Sequence, residues 1–144
     1  RAGAVSGGGE PSFAFPDLDW KRKMHPQPEL VEVSDGVLYA DGVFSEAECQ
    51  RLVEACVPLM ESTNPRNLPP KRGEAFRNNE RMLQRDERFA KLLWESRLRP
   101  ILQLARGGDG ALPTHLNADL RVYRYQRGHS FGPHIDQPVL EGRC

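Results

Sequence analysis

From Leu30 the chain alternates apolar and polar positions, and "LVEVSDGVLYADGVF" reads as two short strands around the turn signal Ser34-Asp35-Gly36. The period changes at Ser45. In "SEAECQRLVEAC", Ser45 and Glu48 have the spacing of a capping box, in which each side chain satisfies an orphan amide at a helix start. Cys49, Leu52, Val53 and Cys56 follow at i, i+3, i+4 and i+7 and predict one apolar helical face, ended with the help of Pro58. Both cysteines read as small core hydrophobes, since nothing nearby completes a metal site with them.

"STNPRNLPPKRGEAFRNNER" shows no period and is rich in proline and asparagine, which predicts a long loop. Loops of this size tend to be functional, so residues 62–80 are where substrate contacts are expected. A second helix is expected from Asp86 as N-cap, turning Phe89, Leu92, Leu93 and Leu98 inward, restarting at Pro100 and ending in "RGGDG". The β pattern then returns. In "DLRVYRYQ", Arg121, Tyr123 and Tyr125 share one face and Leu120 and Val122 the other. After Gly128, "SFGPHID" reads as a further strand, with Phe131, Pro133 and Ile135 on one side and Gly132, His134 and Asp136 on the opposite side. The order of elements is that of an α+β domain.

Residues 1–29 lack a sustained apolar period and are rich in Gly, Pro and Ser, so they read as a flexible leader, with the domain spanning 30–144. A length of 144 residues suits one domain with one core. The 20 basic and 20 acidic side chains cancel, and nucleic acid is not an expected partner. Locally the balance shifts: residues 66–106 hold 11 basic against 5 acidic side chains. That stretch is either a solvated helix face or a place for phosphate or an acidic partner. Three cysteines without a CxxC pair point to a reducing compartment. No apolar run reaches the roughly 20 residues that span a bilayer, and no signal peptide opens the chain. A soluble, intracellular protein is expected, with no membrane partner.

The histidine and carboxylate of "HID" carry the candidate chemistry. In a strand, a spacing of two aims the imidazole of His134 and the carboxylate of Asp136 at the same side, within reach of one ion. A surface histidine beside an aspartate satisfies the same spacing.

The stretch "LRVYRYQRGHSFGPHID" resembles the iron-binding core of the Fe(II)- and 2-oxoglutarate-dependent oxygenases of the prolyl 4-hydroxylase-like kind: a strand of the form R-x-Y-x-Y, a glycine turn, an aromatic residue, then HxD. The likeness extends upstream through "LN", "LLWESRLRPIL" and "RNNER" to "VFSEAECQRLVEAC", covering about Leu30 to Asp136. It implies N-terminal helices supporting a double-stranded β-helix, or jelly roll. It implies His134 and Asp136 as metal ligands, and Tyr125, with Tyr123 as the fallback, as the group holding the far carboxylate of 2-oxoglutarate. Both tyrosines also suit plain cross-strand packing. The cofactors implied are Fe(II), 2-oxoglutarate and, as reductant, ascorbate. The reaction implied is hydroxylation of a C–H bond, with protein prolyl residues the best-known substrate of the family; whether the substrate is a protein or a small molecule is left open.

The family pattern also calls for a third ligand, a histidine, and for a basic residue that anchors 2-oxoglutarate, both on later strands. His25, His115 and His129 do not match that histidine. The expectation is therefore the N-terminal part of a dioxygenase domain, truncated after the HxD strand and inactive by itself. The alternative is a non-catalytic remnant of the fold that serves as an interaction module.

Overall fold

The computed structural model describes residues 13–34, 37–102 and 112–135. The fold is mixed α+β, in the order β1 (Val31–Ser34), β2 (Val37–Tyr39), α1 (Glu46–Cys56), β3 (Glu61–Ser62), β4 (Glu80–Arg85), α2 (Glu87–Leu93), a π turn (Trp94–Leu98), α3 (Arg99–Leu102) and β5 (Asp119–Arg124). β1 and β2 form an antiparallel hairpin, and a second sheet has the order β3-β4-β5. Neither sheet closes into a barrel among the described residues. No described helix is long and apolar enough to cross a membrane. The chain divides into two compact units. One is built from residues up to Pro58 with Leu83–Leu120, the other from Leu59–Met82 with the residues from Arg121 onward.

The first unit holds most of the core. α1 starts as its sequence dictates: Ser45 Oγ accepts from Glu48 N at 3.2 Å, and the Ser45 amide donates to Glu48 Oε2 at 2.8 Å. Its buried face differs from the expected one. Cys49 and Val53 are exposed, whereas Glu48 and Cys56 are buried and Leu52 and Ala55 half-buried. The stripe is thus rotated toward Glu48 because two cations draw that carboxylate inward. Arg22 Nη2 lies 3.0 Å from Oε2, and Arg97 Nη2 lies 3.0 Å from Oε1. Arg97 is fully buried and also donates to the carbonyls of Arg22, at 2.8 Å, and Asp19.

α2 begins at Asp86, as expected, and this one side chain serves two amides. Oδ1 accepts from Phe89 N at 2.8 Å, which caps the helix, and Oδ2 accepts from Phe15 N at 3.1 Å. Phe89 is buried and Leu92, Leu93 and Leu98 are half-buried, with Trp94 adding to the core beside them. After Leu93 the helix widens, and Arg99 N bonds to Trp94 O, five residues back. Pro100 accounts for this: its ring would collide with the Ser96 carbonyl in a regular α-helix, and the π turn displaces the two. The "RGGDG" stop lies outside the described residues.

Residues 13–29, read from sequence as part of a leader, are packed in their first half. Phe15 and Leu18 are buried. Phe15 lies 4.7 Å from Phe89 between ring centroids, and Trp20 meets the same ring edge-on at 5.3 Å. Burying a side chain of this size stabilises by roughly 1.5–3 kcal/mol, so the segment is tied down by its aromatics without forming a helix or strand.

In the second unit, the two strands β3 and β4 pair antiparallel, Glu61 opposite Arg81 and Ser62 opposite Glu80. Arg124 of β5 pairs with Glu80 at 3.3 Å across the same sheet. β5 alternates as expected, with Leu120 and Val122 half-buried and Arg121 and Tyr123 exposed. A turn follows, closed by His129 N donating to Gln126 O at 2.9 Å, with Gly128 at φ 85°, a conformation that needs glycine. Beyond the turn the expected strand does not form up to Ile135. One isolated bridge, Arg77 to Phe131, is made, and Gly132 N donates to Phe76 O at 2.7 Å. Pro133 then offers no amide to extend the ladder.

Candidate functional site

The loop between β3 and β4 is held by its own side chains. Asn64 Nδ2 donates to Leu68 O at 2.9 Å while Asn64 Oδ1 accepts from Leu68 N at 2.9 Å, clamping five residues into a turn. Within it Asn67 takes φ 48°, a left-handed conformation that asparagine tolerates. A second turn, Glu74 N to Lys71 O at 3.0 Å, is made possible by Gly73 at φ 83°. Thr63 anchors the start, its Oγ1 donating to Asn79 O at 2.7 Å.

This loop and the segment around Phe131 line an open cavity of about 470 Å³. Leu68, Pro69, Pro70, Phe76 and Phe131 give it apolar walls, and Lys71, Glu74, Arg77 and His134 reach it as charged or ionisable groups. The loop expected to carry substrate contacts is therefore a wall of a cavity that contains the candidate ligand His134.

One wall is a stack of three groups. The rings of Phe131 and His134 lie 3.7 Å apart at 17°, and the Arg77 guanidinium sits 4.3 Å over the Phe131 ring. A parallel ring at that distance covers one face completely, so the guanidinium takes the other. Arg77 is set in turn by Asn79, a fully buried residue whose Oδ1 lies 3.4 Å from both Nε and Nη2. The strand pattern had placed Phe131 and His134 on opposite sides. They share a side because the chain leaves the extended conformation at Gly132-Pro133.

His134 Nδ1 lies 2.9 Å from the Gly132 carbonyl. A carbonyl oxygen only accepts, so Nδ1 carries the proton, and a neutral ring then has its lone pair at Nε2. A metal-ligating histidine has this arrangement, with a backbone acceptor fixing the tautomer. On donor chemistry, His134 therefore fits a ligand of Fe(II). Asp136 lies outside the described residues. Tyr125, just past the end of β5, and Tyr123, within it, are both exposed. The Arg77 guanidinium lies 5.7 Å over the Tyr123 ring, which brings Tyr123 to the edge of the same stack. Among the described residues no group of three or more His, Cys, Asp and Glu side chains is placed to hold a metal ion.

Sequence reasoning missed Arg77 and Asn79 as parts of the site. Their signal was "RNN" within a loop otherwise full of turn formers, and only the pairing of Arg77 with Phe131 gives it meaning. Set against known proteins, the chain matches no family model, and no curated protein or solved structure matches it significantly.

Proposed function

We propose that the chain carries the histidine and aspartate half of an Fe(II)- and 2-oxoglutarate-dependent dioxygenase site of the prolyl 4-hydroxylase-like kind. His134 and Asp136 are the ligands, and Tyr125, or failing it Tyr123, faces the far carboxylate of 2-oxoglutarate. The observation that supports this reading is the bond from His134 Nδ1 to Gly132 O at 2.9 Å, which prepares Nε2 as a donor before any metal arrives. The reading extends the α+β fold to a double-stranded β-helix, in which β3, β4 and β5 are barrel strands and α1 and α2 the supporting layer.

Bound ferrous iron would supply the centre at which 2-oxoglutarate is decarboxylated and O₂ reduced, leading to hydroxylation of a C–H bond. The chain's own residues have simpler tasks. Phe131 and Arg77 hold the imidazole plane, and Gly132 holds its tautomer. Asp136 adds the negative charge that a divalent cation needs beside a neutral ring.

The test is Mn(II) binding to the chain, followed by loss of the free-ion electron paramagnetic resonance signal. Binding is expected to weaken at least tenfold in both His134→Ala and Asp136→Ala, with unfolding midpoints unchanged. Equal Mn(II) affinity in wild type and both variants would remove the ligand assignment.

A further inference from the structure

The cavity beside His134 is apolar over most of its wall yet holds two cations that have no counter-ion among the described residues. Lys71 and Arg77 both line it, and neither has a carboxylate within ion-pair distance among the described residues; Glu74, the acidic residue of the lining, pairs with neither. Arg77 is half-buried. Its contacts to Asn79 Oδ1, at 3.4 Å, are at the long limit of a hydrogen bond and orient the guanidinium without neutralising it. The ring of Phe131 covers one of its faces. A partly desolvated cation held in a fixed plane gains most from a charge-assisted bond to an anion. The rest of the cavity asks for the opposite chemistry. Leu68, Pro69 and Pro70 on one segment and Phe76 and Phe131 on another offer apolar surface, and 470 Å³ lies within the range of small-ligand pockets.

We infer that this cavity binds a ligand with an apolar body and one anionic group, the anion meeting Arg77 and Lys71 and the body lying against Phe76, Phe131 and the two prolines. Calling that ligand the substrate rests on the dioxygenase reading, under which the C–H bond to be oxidised lies near His134; the binding itself does not. 2-Oxoglutarate fits the inference poorly, since it has two carboxylates and no apolar body.

The test is calorimetric titration of the chain in EDTA with phenylacetate, phenyl phosphate, phenylacetamide and 2-oxoglutarate. Phenylacetate or phenyl phosphate should bind at least tenfold more tightly than the neutral amide, and the comparison of the two identifies the anion as carboxylate or phosphate. Arg77→Gln and Lys71→Gln should each weaken that binding by about three- to tenfold. Because Arg77→Gln can disturb the Phe131 stack, exposed Lys71→Gln is the variant that isolates charge, and Arg85→Gln, outside the cavity, should change nothing. Equal binding of acid and amide, binding of none of the four, or tighter binding of 2-oxoglutarate than of either aromatic anion would overturn the inference. EDTA separates the two readings: anion binding without any Mn(II) affinity keeps the cavity and removes the dioxygenase, and Mn(II) binding without anion binding does the reverse.

Discussion

Arg97 and Glu48 are both buried and meet at 3.0 Å, linking the π turn after α2 to the first turn of α1. Glu48 also accepts from the Ser45 amide and pairs with Arg22. A carboxylate this enclosed is stabilising only while it is ionised and fully bonded.

That condition sets a pH dependence. Burial pushes the Glu48 carboxyl up, but the Ser45 amide, the hydrogen bonds from Arg97 and Arg22 and the charge of Arg22 outweigh it, pulling it down from the ordinary 4.5 to about 2. A depressed value means that its contribution is complete above pH 4.5 and is lost as pH falls through about 2. Urea unfolding followed by tryptophan fluorescence should show wild-type stability dropping across this window. Glu48→Gln should be less stable by about 3 kcal/mol at pH 7, with a flatter profile between those limits. Parallel profiles for the two proteins would rule out Glu48 as the group responsible.

Asp86 offers a way to separate two bonds made by one side chain. Asp86→Ala removes the helix cap, about 1 kcal/mol, and the acceptor for Phe15 N, about another 1 kcal/mol. Asp86→Asn keeps an oxygen for the cap and replaces the other with an amide that cannot accept. Thermal unfolding midpoints should fall in the order wild type, Asn, Ala. An Asn variant as unstable as Ala would show that the cap itself depends on the carboxylate charge, since the Phe15 bond is lost in both.

The cysteines of α1 should differ in reactivity. Burial raises the Cys56 thiol, whereas Cys49 is exposed. Brief iodoacetamide treatment and peptide mass mapping should find Cys49 alkylated and Cys56 untouched until the protein is unfolded. Early labelling of Cys56 would mean that its end of the helix opens readily.

Phe131→Leu keeps the site apolar but removes the ring on which His134 rests. If the stack positions the imidazole, Mn(II) affinity should fall by roughly tenfold, and the His134 ring nitrogen resonances should move toward solution values. Unchanged affinity together with unchanged resonances would show that Gly132 alone suffices to orient the ring.

Tyr125→Phe tests the co-substrate assignment by titration of 2-oxoglutarate into the Mn(II)-loaded chain. Loss of one hydrogen bond to a carboxylate should cost roughly 1.5–3 kcal/mol of affinity. An effect seen only in Tyr123→Phe would move the role to that residue.

The parts of this fold that were legible in the sequence are those fixed by local rules. The capping box of α1, the Asp86 cap, the hairpin near Leu30 and the alternation of β5 depend on neighbours within a few residues. β4 was hidden because its alternation of burial is not matched by its chemistry: in "ERMLQR" the inward positions are Glu80, Met82 and Gln84, and only Met82 is apolar. The face of α1 was misjudged by about one position, since hydrophobicity cannot reveal that a glutamate will be drawn inward by arginines 26 residues before it and 49 after it. The candidate site divides the same way. The spacing of His134 and Asp136 is visible in the chain, whereas the support of His134 by Phe131 and Arg77 depends on a bridge spanning 54 residues.

The reciprocal bonds between Asn64 and Leu68 bear on how a ligand would enter. A loop that must be ordered by its guest charges that entropy to the binding event and slows association while closure occurs. Here the turn at Asn67 is closed by side-chain and backbone bonds at 2.9–3.0 Å within the loop itself. At this turn the loss of freedom is therefore incurred when the chain folds, and a ligand entering the cavity would meet that part of the wall already shaped.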